Sequence, residues 1–243
     1  MLSFVLRDLH HGFIMTKWGW ILWMFLFMLS GSLSLVTVYQ PPVIAAARGV
    51  DVIMLCELRL SQNEIMSNSP VLYWLFLEEA NTEKSRLWHP SDAYKERVNL
   101  LDNGQNSLNK SILLKNVQWA DSGKYVCKLS ITIKNNGSFR KSGNQTTLKV
   151  YDPIVFALSA HNDSLLRCEV NATRGAGFAL CVTHEGRTLQ TDSAESAVEA
   201  QPYVTLSESV SARKGGKYEC RLQLMEDLIA KSIFYVNQYL QLM

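Results

Sequence analysis

The sequence has almost no surplus of charge of either sign: 24 Lys and Arg stand against 22 Asp and Glu, a net charge of +2. That balance argues against a nucleic-acid surface, which needs a basic stripe. Catalytic signatures are missing as well. There is no His-Glu-x-x-His, no Gly-x-Ser-x-Gly and no phosphate-binding Gly-Lys-Ser/Thr loop. Histidines are few and scattered: His10 and His11 fall in the first segment, and His89, His161 and His184 are not spaced as metal ligands. Lys214-Gly215-Gly216-Lys217 reads as a turn before a strand. No enzyme is therefore expected, and no metal, cofactor, nucleic acid or small-molecule substrate. Cysteine is sparse too, at five residues. If these pair, the compartment is oxidising.

Long apolar runs are also lacking, with one exception. Trp18 to Leu29 is continuously apolar, follows Arg7 and Lys17, and is succeeded by Ser30, Gly31, Ser32 and Ser34. A basic start, an apolar middle and a small-residue exit read as a secretory signal peptide over 1–34, with Met15 as a second candidate start. An uncleaved anchor over Trp18 to Val38 is the alternative, since that stretch is long enough to span a bilayer. No C-terminal membrane helix is expected, because Asp227 and Lys231 interrupt the residues after Cys220.

What remains alternates between short apolar runs and polar turns, as a β-sandwich requires. Six residues stand out. Cys56 is followed by Trp74, and then by Asp121-Ser122-Gly123-Lys124-Tyr125-Val126-Cys127. Cys, Trp, Asp-x-Gly-x-Tyr-x-Cys in this order and spacing resembles a variable-type immunoglobulin domain. The resemblance implies a Cys56–Cys127 bridge between facing sheets, Trp74 packed on it, and Tyr125 turning its hydroxyl back to the chain. Arg97 is placed to pair with Asp121 across the domain base, as an exposed pair contributing roughly 0–1 kcal/mol. The pattern returns in weaker form downstream. Cys168 and Cys220 imply a second bridge, and Gly216-Lys217-Tyr218-Glu219-Cys220 keeps the Gly, Tyr and Cys. No Trp occurs after residue 152, and Cys181 lies near the position expected for one. Cys181 then reads as a buried hydrophobe of a smaller core; an intermolecular bridge is the alternative. The expected fold is all-β, two tandem immunoglobulin-like sandwiches over 35–152 and 153–243.

Strand parity suggests a binding surface. With Trp74 facing the core, Leu72 and Phe76 face in, and Tyr73, Leu75 and Leu77 face out. On the neighbouring strand Cys127 and Leu129 face in, so Val126 and Lys128 face out. An exposed patch of Tyr73, Leu75, Leu77, Val126 and Lys128 is therefore expected, and contiguous patches of this kind mark interaction sites. Lys134, Arg140 and Lys141 make the following connection basic.

The stretches Arg97-Val98-Asn99-Leu100, Ser111 to Val117 and Asp121 to Cys127 resemble the variable domain of the butyrophilin and T-cell costimulatory-ligand group. Gln40-Pro41-Pro42 and Gly143-Asn144-Gln145-Thr146 look instead like single-variable-domain natural-killer and T-cell receptors. The resemblance implies a glycoprotein, secreted or at the cell surface, that binds a protein counter-receptor on another cell in immune regulation. A homodimer formed through the same face is an alternative expectation. Five Asn-x-Ser/Thr sites suit this setting: Asn109, Asn136, Asn144, Asn162 and Asn171.

Overall fold

The computed structural model describes residues 36–237, apart from 62–63, 78–82, 89–91, 103, 105–106, 135–136, 160–161, 176 and 199. The leader, His89, His161, Asn136 and residues 238–243 lie outside the described residues.

The first half supplies β1 (Thr37–Tyr39), β2 (Val43–Ala47), β3 (Val52–Met54), β4 (Glu57–Arg59), β5 (Val71–Leu77) and β6 (Glu83–Trp88). It continues with β7 (Val98–Leu100), β8 (Ile112–Leu114), β9 (Gly123–Ile133), β10 (Gly137–Ser142) and β11 (Thr146–Tyr151). Strands β11, β9, β5 and β6 lie in order in one sheet, with β2 parallel to β11 and β10 beside β9. A second sheet orders β3, β8 and β7, and β1 pairs with β4. Their inner faces share one core. Met54, Ile112, Leu114 and Val98 come from one side, and Trp74, Tyr125, Leu129 and Leu148 from the other.

Cys56 and Cys127 are bonded across that core. Trp74 lies opposite Cys127 in the β5–β9 register and is fully buried. A buried indole needs an acceptor, and Trp74 Nε1 donates to the Lys110 carbonyl at 3.1 Å. Tyr125, also fully buried, donates its hydroxyl to the Asp121 carbonyl at 2.6 Å and stacks on Phe76. The ring explains Gly123: its φ is +148°, and a Cβ there would sit 2.5 Å from Phe76.

The Arg97–Asp121 pair differs from the exposed one expected. Asp121 is 2% exposed, and Arg97 reaches both its oxygens, Nη1 to Oδ1 at 3.1 Å and Nη2 to Oδ2 at 2.5 Å. Arg97 also donates to the carbonyls of Lys115 and Asn116. The carboxylate is drawn inside because Asp121 starts the turn that places Tyr125, and Gln118 N–H satisfies Oδ2 from the other side.

The second half supplies β12 (Val155–Ser159), β13 (Asn162–Thr173), β14 (Phe178–His184), β15 (Arg187–Thr188), β16 (Asp192–Ser196), β17 (Tyr203–Ser211), β18 (Gly216–Leu224) and β19 (Asp227–Val236). Strand β12 pairs with β13, which is followed by β17 and β16; β15, β14, β18 and β19 form the other sheet. Cys168 on β13 is bonded to Cys220 on β18. Tyr218 repeats the corner of the first sandwich, donating to the Lys214 carbonyl at 3.0 Å.

Cys181 requires a correction. Val182, not Cys181, lies opposite Cys220, and Val182 is fully buried in the core. Alternation then turns Cys181 to the other face of the sheet, where it is half-buried and a free thiol opposite Arg221. Burial pushes its pKa up.

Between the halves, Tyr151 on β11 pairs with Ala172 on β13, so one sheet continues through both. Thr173 Oγ1 accepts from Val150 N–H and donates to Val150 O, at 2.8 and 2.9 Å. Arg48 donates to Asp152 at 2.6 Å, and Trp119 and Tyr203 lie 4.9 Å apart between ring centroids. Asn171 belongs to this junction. It is half-buried, its Nδ2 donates to Asp152 and its Oδ1 accepts from Thr205. The Asn171 side chain is thus engaged at this junction.

Candidate binding face

The outer face of the β10–β9–β5–β6 sheet carries the residues singled out above. The register sets Leu75 opposite Val126 and Tyr73 opposite Lys128. All five expected residues therefore share one face, but they are not an exposed apolar patch. Leu75, Leu77 and Val126 are only 3%, 7% and 6% exposed and form a small cluster of their own. Two effects close it. Cross-strand and diagonal neighbours on one face lie within contact distance and cover each other. Arg86, opposite Leu75 on β6, also reaches diagonally to place its guanidinium 5.4 Å from the Tyr73 ring centroid. Tyr73 is half-buried, and Lys128 is exposed.

What this face presents instead is a concavity of about 370 Å³. Tyr73 and Leu75 belong to β5, Arg86 to β6, Lys128 and Ser130 to β9, and Arg140, Lys141 and Ser142 to β10. The β9–β10 register explains the convergence: Arg140 lies opposite Ser130 and Ser142 opposite Lys128. Four cations thus surround an aromatic wall and a leucine floor, and among the described residues no acidic one lines the concavity. Sequence reasoning missed Arg86. Its position in a strand pairing with β5 is the signal that could have found it. Arg140 and Lys141 were legible as basic residues, but not as members of this site.

Other predicted positions lie elsewhere. Asn144 is exposed, just beyond β10. Asn109 is half-buried, its side-chain oxygen accepting from Ser111 N–H. Asn162 begins β13. His184 packs at 4.5 Å from the Tyr218 ring, with Nε2 3.1 Å from the Gly215 carbonyl, which is a structural role. Among the described residues no cluster of three or more His, Cys, Asp or Glu could hold a metal ion. Also among them, no helix is long and apolar enough to cross a membrane.

On the outer face of the second sandwich, Glu219 is clamped between Lys217 at 2.5 Å and Arg221 at 2.6 Å. Its hydrogen bonds to Lys217 and then Arg221 hold its pKa down to about 2.

Residues 39–151 match the immunoglobulin V-set domain family. No curated protein matches the chain. Among solved structures, bovine butyrophilin is 14% identical, with 84% of this chain and 100% of that chain covered and a TM-score of 0.44. A chain from the structure of ICOS in complex with ICOS-L and an anti-ICOS-L VNAR domain is 15% identical, covering 81% and 100%, at 0.40. Murine CRIg is 13% identical, covering 47% and 97%, at 0.38. Residues 39–151, which carry the Cys56–Cys127 bridge, the buried Trp74 and the Tyr125 corner, are thus an immunoglobulin V-set domain.

Proposed function

We propose that this chain is an extracellular glycoprotein, secreted or held at the outer face of the plasma membrane, that binds a protein counter-receptor on another cell. The observation that carries this reading is the Tyr73-walled concavity on the outer β10–β9–β5–β6 face of a V-set domain. A sheet face with an aromatic anchor beside a concavity is what a partner side chain can use, since aromatic residues dominate binding energy at interfaces. No bond is made or broken; the function is recognition, in immune-cell regulation. The organisation proposed is a signal peptide over 1–34, the V-set domain over 35–152 and a divergent immunoglobulin-like domain over 153–243. Glycans on Asn109, Asn136, Asn144 and Asn162 would limit approach from other directions.

The test is staining of cells expressing a panel of surface receptors with the secreted chain, alongside Tyr73→Ala. The expected result is binding to a receptor-expressing line that weakens at least about 10-fold in the variant, the scale of a lost aromatic anchor. A variant that folds normally and binds as wild type would refute the role of this face. A concentration-dependent dimer abolished by Tyr73→Ala, with no receptor bound, would replace the counter-receptor by a second copy of the chain.

A further inference from the structure

Resting on the proposed binding role, we infer that the concavity recognises an acidic protein segment, in which a carboxylate side chain stands next to an apolar one. Three observations lead there. First, the cations converge. Arg86, Lys128 and Arg140 come from three different strands and flank one depression, while the chain as a whole is nearly neutral. Among the described residues, Lys128 and Arg140 have no acidic side chain within ion-pair distance. Holding like charges together on a small domain is unfavourable by itself, and a bound anion relieves it.

Second, one wall is apolar. The half-buried Tyr73 ring lines the same space as the charges, while Leu75 beneath is already covered. A carboxylate alone would meet the cations and leave the accessible part of the ring uncovered. A carboxylate beside an aliphatic or aromatic side chain satisfies both. Ser130 and Ser142 add hydroxyls at the rim that can donate to a carboxylate or to a peptide carbonyl.

Third, the site is a single depression and not a track. Outward positions on β9 beyond Lys128 are Ser130 and Thr132, and Ser138 lies opposite Thr132 on β10. Two neutral outward positions thus separate Lys128 from Lys134, the next cation in that direction. A linear sulfated glycan needs charges repeated along its length, whereas one compact notch of about 370 Å³ suits one or two side chains of a protein loop. Charge complementarity of this kind sets specificity and encounter rate more than raw affinity.

The experiment is a titration of the isotope-labelled mature chain, followed by amide NMR shifts, with three probes. One is the peptide acetyl-Gly-Glu-Phe-Glu-Gly-amide. Another replaces both Glu by Gln. A heparin tetrasaccharide is the third. The Glu peptide should shift the amides of Lys128, Ser130 and Arg140, and should bind at least about 5-fold more tightly than the Gln peptide. Lys128→Glu/Arg140→Glu should abolish those shifts. The control Lys95→Glu/Lys231→Glu, which changes net charge equally at two exposed sites away from the concavity, should retain them. Equal binding of the Glu and Gln peptides, no binding of the Glu peptide, or binding of heparin alone would overturn the inference. On receptor-expressing cells, staining lost in Tyr73→Ala but kept in the charge reversal would also overturn it, leaving the counter-receptor reading standing. Staining unaffected by either variant would sink both.

Discussion

Truncating Arg97 to Ala tests the reading of the domain base most directly. The wild-type guanidinium makes a two-pronged contact with Asp121 and donates to the carbonyls of Lys115 and Asn116. In the variant Asp121 Oδ2 keeps its Gln118 N–H donor, but among the described residues Oδ1 has no other protein donor. Removing one partner of a buried pair typically costs about 3–5 kcal/mol. Arg97 is 29% exposed on its side chain, so water can partly replace it, and about 2–3 kcal/mol is the appropriate figure. Tyr125 hangs from the Asp121 carbonyl, so relaxation of the turn adds to the loss and does not offset it. Arg97→Lys should fall between, because an ammonium keeps the charge but not the planar fork. Chemical denaturation followed by Trp fluorescence suits the assay: Trp74, Trp88 and Trp119 all lie in the first domain, and Trp119 also senses the junction through Tyr203. A loss below about 1 kcal/mol, or equal losses for Ala and Lys, would show that the pair behaves as an ordinary surface contact.

Two further outcomes follow from the second domain. Glu219 has its pKa depressed to about 2 by Lys217 and Arg221, below the usual 4.5, so its ionised form favours the folded state. That contribution is present at neutral pH and is lost as pH falls from about 4.5 towards 2. Wild type should thus lose more stability than Glu219→Gln across that window in acid melts, and parallel losses would refute the clamp. Cys181→Ser should change the calorimetric melting of this domain by less than about 0.5 kcal/mol, whereas Val182→Ala should cost about 1–3 kcal/mol. The reverse order would return the core position to Cys181.

The contrast between Trp74 and Cys181 shows what makes a core legible. In the first domain a Trp can occupy only one face, so its identity sets the phase of β5 and, through pairing, of β9. In the second domain no residue in β14 is so selective. A one-residue slip exchanges the two faces of a strand, and Cys and Val are both acceptable inside. The Cys168 spacing alone could not choose between neighbours; the pairing of Val182 with Cys220 does. The binding face failed for a related reason. Parity correctly assigns Tyr73, Leu75, Leu77 and Val126 to one side, but parity says nothing about what lies across it. Exposure there depends on Arg86, which arrives through a strand pairing with two register shifts. Such shifts are set by local twist and are not written as a motif.

The junction between the sandwiches was illegible for the opposite reason: its residues look like ordinary surface polars. Arg48 and Asp152 are 104 positions apart, Ser122 and Thr173 are 51 apart, and each pair has meaning only once folded. Relative motion is the default expectation for two domains joined by a small polar contact. Here motion would have to break the Thr173 bonds to Val150, the Asn171–Asp152 hydrogen bond and the Tyr151–Ala172 rung together. It would also part Trp119 from Tyr203. These interactions straddle a sheet that runs without interruption from β16 to β6. The concavity around Tyr73 lies on that same sheet, with Tyr73 two strands from the crossing point at β11, so the rungs that fix β11 against β13 also fix the direction in which the proposed binding face points.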